Sequence, residues 1–105
     1  VVGLKEATGS LDEVQEVLRL CGDAIKVYSG DDSLTLPIMA VGGVGVISVI
    51  GNLQPRRCAD MVAAALAGDW ARARELHFSL LPLVRSLFLE TNPIPVKAAM
   101  ARLGY

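Results

Sequence analysis

Short apolar runs, separated by longer stretches of mixed polarity, organise the first half of the chain. The runs cover residues 1–4, 25–28 and 44–50, and each is followed by glycine, serine or a charged residue. Such bounded runs are typical of buried strands. One strand with its connection takes about 20 to 25 residues, which leaves room for a helix between strands. This rhythm predicts βα units around a parallel sheet, an α/β fold.

Helical periodicity and capping residues locate the helices. Apolar residues recur every three or four positions after Ser10, which forms a capping-box pattern with Glu13. Pro82 lies inside a later apolar stripe, so we expect it to kink or divide that helix. The predicted helices cover residues 11–21, 33–41, 55–67, 70–89 and 96–103.

Composition and charge exclude several classes of function. The chain has 105 residues, of which 52% are hydrophobic, and a formal net charge of -1. That balance gives no electrostatic bias toward nucleic acid or an anionic membrane, and no apolar run approaches the roughly 18 residues of a membrane span. Cys21 and Cys58 lack the spacing of a metal site or redox motif. We expect them to be small core residues in a reducing compartment, and we predict no metal and no cofactor.

Lys5 stands at the downstream end of the first predicted strand. Burying an ammonium group costs several kcal/mol unless it is paired or neutral, so the ordinary interpretation is a lysine that extends into solvent. The alternative is a nucleophile, because desolvation favours the neutral amine that can form a Schiff base with a carbonyl. Glu6 follows directly and must point to the opposite face of the strand, where a structural role is expected. The residues alone leave both interpretations of Lys5 open.

Two loops also contain candidate chemistry. Asp31 and Asp32 lack a third ligand for a metal, so helix capping is the favoured interpretation, while Gly30 lets the backbone approach a ligand closely. The glycine run at residues 42–45 follows a helix and opens a strand, the reverse of a phosphate loop. No nucleotide site is therefore predicted. His77, on a late helix, is expected to lie at the surface or in packing.

Four motifs resemble one enzyme family over essentially the whole chain. They are GLKEATGSL at residues 3–11, YSGDD at 28–32, GGVGVISV at 42–49 and NPIPVK at 92–97. In this order and spacing they resemble the dihydrodipicolinate synthase family, within the N-acetylneuraminate lyase superfamily of class I aldolase-type (β/α)8 barrels. Residues 50–52, Ile-Gly-Asn, depart from the Thr- or Ser-Ala-Asn expected there, which leaves details of the pocket open.

The resemblance implies a site and a reaction. Lys5 would form a Schiff base with pyruvate, and the derived enamine would attack L-aspartate 4-semialdehyde, a step in lysine and diaminopimelate biosynthesis. The backbone of Ile47 would line the pyruvate pocket, and Gly30 would lie at its rim. A sister pyruvate-dependent aldolase, acting on N-acetylneuraminate or a 2-keto-3-deoxy sugar acid, stays an alternative. So does a non-catalytic fragment of such an enzyme.

The resemblance also implies an architecture larger than this chain. A (β/α)8 barrel needs about 250 residues. We therefore expect the C-terminal portion of a longer enzyme, with barrel strands six to eight in residues 1–68 and a small helical subdomain in residues 69–105. The family's proton-relay residues would lie upstream, and Tyr28 and Tyr105 match none of their motifs. A cytoplasmic (in a plant, plastid) homotetramer, built as a dimer of dimers, is the implied assembly.

Overall fold

The computed structural model describes the whole chain, residues 1–105. It folds as two compact units, Val1–Ile47 and Ser48–Tyr105. The first unit holds the three strands and two helices, and the second holds three further helices. The boundary between barrel and helical subdomain after residue 68 stays a prediction.

A parallel sheet forms the first unit. Its strands are β1 (Gly3–Glu6), β2 (Lys26–Ser29) and β3 (Gly45–Val46), in the spatial order β1-β2-β3. The register places Lys5 beside Tyr28, and Tyr28 beside Gly45. The predicted alternation of parallel strands with helices is confirmed.

The first helix, α1 (Leu11–Cys21), begins with the predicted cap but completes it differently. The Ser10 hydroxyl accepts from the N–H of Glu13 at 3.3 Å. The N–H of Ser10 donates to the hydroxyl of Thr8 at 3.2 Å and not, as the capping box predicts, to the Glu13 side chain. The turn before the helix already supplies that acceptor, so only half of the capping box forms.

Both helices of this unit cover one face of the sheet. The second helix, α2 (Thr35–Ala40), follows a short 3₁₀ turn, Asp32–Leu34. Val14, Val27 and Ile38, at most 1% exposed, form the core between the helices and the sheet. Side chains alternate along a strand, so Tyr28 projects from the face opposite to Val27.

The second unit is helical. It contains a 3₁₀ turn (Ile50–Asn52) and helices α3 (Pro55–Leu66), α4 (Trp70–Leu87) and α5 (Ile94–Arg102). α3 packs against α4, and α5 packs against α4 and the turn. Asp69 caps α4 by accepting from the N–H of Arg72 at 3.0 Å. The buried apolar residues are Ile50, Cys58, Met61, Ala65, Ala73, Leu76, Leu80, Val84, Leu87 and Val96. No helix has the length and apolar character that crossing a membrane requires.

Two of the strand predictions were wrong in extent. β1 starts at Gly3 and continues through Glu6, which leaves Val1 and Val2 exposed and not buried as predicted. β1 is an edge strand, and no element covers those side chains in this chain. β3 contains only Gly45–Val46, because the chain leaves the sheet and turns at Ile50–Asn52.

Pro82 does not divide its helix. α4 is continuous from Trp70 to Leu87. A proline in a helix removes one backbone hydrogen bond, but the flanking residues Leu80 and Val84 are both buried. Their packing holds the two halves in one helix.

Candidate active site

The carboxyl ends of the three strands hold the three predicted site residues. Lys5 is the penultimate residue of β1, Gly30 follows β2 directly, and Ile47 follows β3 directly. Backbone hydrogen bonds join these ends: the N–H of Gly30 donates to the carbonyl of Glu6 at 2.6 Å, and that of Ile47 to the carbonyl of Ser29 at 2.8 Å. Parallel strands end at the same edge of a sheet, so one edge carries all three residues.

The side chain of Lys5 lies over Gly30. A β-carbon built on Gly30 would be only 2.9 Å from Cε of Lys5 and 2.5 Å from Cβ of Ala7. The missing side chain at position 30 therefore provides the space that the lysine stem occupies. Lys5 is exposed in this chain, and Ile47 is half exposed.

Glu6 has the structural role expected from its place in the strand. It is 6% exposed, and its Oε1 accepts from the backbone N–H of Thr8 at 2.8 Å. This carboxylate thus fixes the turn that leads from β1 to α1. Its side chain leaves the strand on the face opposite to Lys5, in agreement with the alternation of the strand.

Hydrogen bonds fix the loop that carries Gly30. The buried hydroxyl of Ser29 donates to the carbonyl of Asp31 at 2.6 Å and accepts from its N–H at 3.1 Å. The carboxylate of Asp31 accepts from the N–H and the hydroxyl of Ser33, which is the predicted capping role. No group of three or more His, Cys, Asp or Glu side chains is arranged to hold a metal ion anywhere in residues 1–105.

Tyr28 is a neighbour of Lys5 that sequence reasoning missed. It is the register partner of Lys5 in β2. Its ring lies over Gly3, where a β-carbon would be 3.2 Å from Cε2 of the ring. The available signal was its spacing: Tyr28 precedes Gly30 by two residues, so both belong to the same face of the sheet. Using that signal required the strand register, which the motifs do not contain.

His77 belongs to the helical unit and not to the strand ends. It lies on α4, is 8% exposed, and its ring meets that of Phe78 edge-on with 5.6 Å between centroids. Burial lowers the pKa of His77, because the charged imidazolium loses hydration there. Of the two predicted locations, the structure therefore selects packing.

Known proteins match this chain along its whole length. The model of the dihydrodipicolinate synthetase family matches residues 1–105. The 4-hydroxy-tetrahydrodipicolinate synthase of Thermomicrobium roseum is 59% identical over 104 residues, which are 99% of this chain and 34% of that protein.

Solved structures also match this chain over nearly its whole length. The crystal structure of dihydrodipicolinate synthase from Aquifex aeolicus has a TM-score of 0.96 and 51% identity, over 99% of this chain and 36% of its own. The chloride-inhibited dihydrodipicolinate synthase from Acinetobacter baumannii, complexed with pyruvate, has a TM-score of 0.92 and 36% identity over the same shares.

The parallel sheet, its covering helices and these superpositions define three βα units of a (β/α)8 barrel, with a lysine at the carboxyl edge. The chain spans about a third of the length of the curated relatives it matches. It belongs to the dihydrodipicolinate synthetase family. The predicted family and the α/β-barrel fold class are thereby confirmed.

Proposed function

We propose that the full polypeptide containing this segment condenses pyruvate with L-aspartate 4-semialdehyde through a Schiff base on Lys5. The observation that carries the proposal is the position of Lys5 at the carboxyl edge of a parallel sheet, with its stem over Gly30. Barrel enzymes place their active sites at that edge. The relative from Thermomicrobium roseum is a 4-hydroxy-tetrahydrodipicolinate synthase, and the one from Acinetobacter baumannii was solved with pyruvate.

Lys5 would act as the covalent nucleophile. Its neutral Nζ adds to the C2 carbonyl of pyruvate, and loss of water gives an imine. The protonated imine accepts the electron pair left when a methyl proton departs, which forms an enamine. The enamine carbon then bonds to the aldehyde carbon of the semialdehyde, and hydrolysis of the imine restores the lysine. No residue of this segment is assigned the proton transfers.

Gly30 and Ile47 would shape the pocket through their backbones. Gly30 leaves the space that the Lys5 stem occupies, and its N–H is held by the carbonyl of Glu6. The backbone of Ile47 would line the pyruvate site, and its hydrogen bond to Ser29 fixes its distance from β2. Both roles are proposals that the family resemblance supports.

Assembly and location belong to the same proposal. The family resemblance supports a homotetramer built as a dimer of dimers, with a helical subdomain after residue 68. A cytoplasmic location agrees with Cys21 and Cys58 being thiols and not a disulfide. Sedimentation of the full polypeptide, at the protein concentration used for activity assays, is expected to show a tetramer. A monomer would contradict that part of the proposal.

The reaction can be tested by comparing two aldehydes. The full polypeptide is incubated with pyruvate and either L-aspartate 4-semialdehyde or N-acetylmannosamine, and pyruvate consumption is measured. We expect turnover with the semialdehyde, and its loss in Lys5→Arg, which keeps a cationic side chain but no amine that deprotonates. Preference for N-acetylmannosamine would instead identify a sister aldolase. A folded polypeptide that consumes pyruvate with neither aldehyde would contradict the proposal.

A further inference from the structure

Lys5 and Tyr28 form a crossed pair on the face of the sheet opposite to helices α1 and α2. They are register partners in β1 and β2. The lysine stem lies over Gly30, two residues after Tyr28, while the tyrosine ring lies over Gly3, two residues before Lys5. The two side chains thus lean in opposite directions along the strands. Each occupies space left free by a glycine, Gly30 directly after β2 and Gly3 in β1.

We propose that Tyr28 is a positioning residue for Lys5. Its ring fills the surface over Gly3 and so keeps the lysine from leaning toward the amino-terminal ends of the strands. The lysine amine is thereby directed to the carboxyl edge. The kinetic consequence of this inference rests on the proposed Schiff-base function, whereas its geometric content does not.

The need for such a device follows from the side chain itself. A lysine has a long flexible stem, and on a pleated surface a side chain can lean along the strand. Lys5 is exposed in this segment, which spans about a third of its relatives' length, so burial within the segment does not select one direction. Gly30 and Tyr28 select the direction instead. Gly30 leaves space on the carboxyl side, and the Tyr28 ring occupies the amino-terminal side.

The contacts assign this role to the ring and not to the hydroxyl. The atoms of Tyr28 nearest the position of a β-carbon on Gly3 are Cε2 at 3.2 Å and Cδ2 at 3.7 Å, both ring-edge carbons. Phenylalanine has the same edge. Tyr28→Phe is therefore a matched control that should keep the position of Lys5, while Tyr28→Ala should release it.

The test measures imine formation and lysine position in the full polypeptide. The rate constant at saturating pyruvate is obtained by quenching with borohydride and quantifying the Lys5 adduct. We expect Tyr28→Ala to lower it on the order of tenfold to a hundredfold, because small misplacements of a reacting group have effects of that size. Tyr28→Phe should keep the parent rate. Tyr28→Leu, which retains an apolar side chain but no ring edge, should also be slow and guards against misfolding of the alanine variant.

Crystal structures of the variants separate this inference from the proposed function. In Tyr28→Ala or Tyr28→Leu we expect the lysine stem to move from Gly30 into the space over Gly3. A stem that stays over Gly30 in both would overturn the inference, as would a parent-like rate in both. If the parent itself forms no pyruvate adduct, the proposed function fails, and the lysine position in the variants still decides the positioning role.

Discussion

Gly30→Ala tests the closest packing in the candidate site. The added β-carbon would lie 2.5 Å from Cβ of Ala7, 2.9 Å from the carbonyl oxygen of Glu6 and 2.9 Å from Cε of Lys5. The first two atoms are held by the backbone and cannot rotate away. Only the lysine stem can swing aside, so the substitution must strain the strand ends and displace the lysine.

The magnitude follows from two opposing effects. Replacing glycine by alanine where the space is free stabilises a protein by about 0.4–1 kcal/mol, through the unfolded state. Inserting a methyl group into a filled site costs about 1–3 kcal/mol. The contacts of 2.5 and 2.9 Å with fixed atoms make the second effect dominate at Gly30. We expect a net loss of about 1–2 kcal/mol in the free energy of unfolding.

Urea unfolding and imine formation with pyruvate are the two assays. Ala7→Gly removes the 2.5 Å contact, so the double variant with Gly30→Ala should recover part of the lost stability, with an interaction energy of about 0.5 kcal/mol or more. Gly51→Ala is the control, because its β-carbon would meet only Ser48 side-chain atoms at 3.2 and 3.3 Å. If Gly30→Ala matched the parent in both unfolding midpoint and imine formation, the packing argument would be refuted.

Further predictions concern a loop, a cap and a buried histidine. Ser29→Ala removes a buried hydroxyl that bonds both the N–H and the carbonyl of Asp31, and should cost about 1–3 kcal/mol in urea unfolding; an unchanged midpoint would show that the loop does not depend on it. Asp69→Ala should cost about 1 kcal/mol by leaving the N–H of Arg72 uncapped, and Asp69→Asn less; equal costs would argue against capping. Burial lowers the pKa of His77, so the unfolded chain binds a proton at higher pH than the folded chain does. The stability that the neutral imidazole contributes is complete above its ordinary pKa of about 6.5 and is lost as pH falls through the lowered pKa. His77→Gln should flatten the fall in unfolding free energy on acidification, and an unaltered slope would contradict this linkage.

Local signals predicted the features that depend on neighbours in sequence. Ser10 caps its helix as predicted, and Asp69 caps α4 in the same way, because each side chain needs only an N–H three residues ahead. The bounds of α1 agree with the periodicity, since one apolar stripe faces a single core. Glu6 was placed on the face opposite to Lys5 by strand alternation alone.

Features that depend on pairing between strands were not predictable in the same way. Burial of Val1 and Val2 was expected from their apolar side chains, yet both residues precede β1 and are exposed in this segment. The motifs supplied Lys5 and Gly30 as separate candidates. Their contact, and the presence of Tyr28 beside them, follow from the parallel register, which no single segment encodes.

The full polypeptide is incubated with pyruvate and borohydride, and its intact mass then shows whether a Schiff base has formed. Peptide mapping locates the adduct on a particular lysine. Borohydride reduces the imine to a stable secondary amine, so the adduct stays on the lysine that formed it. We predict one adduct, on the peptide containing Lys5, that is absent when borohydride is omitted and absent in Lys5→Arg. An unmodified polypeptide, or an adduct on another lysine such as Lys26 or Lys97 in place of Lys5, would contradict the assignment of the nucleophile.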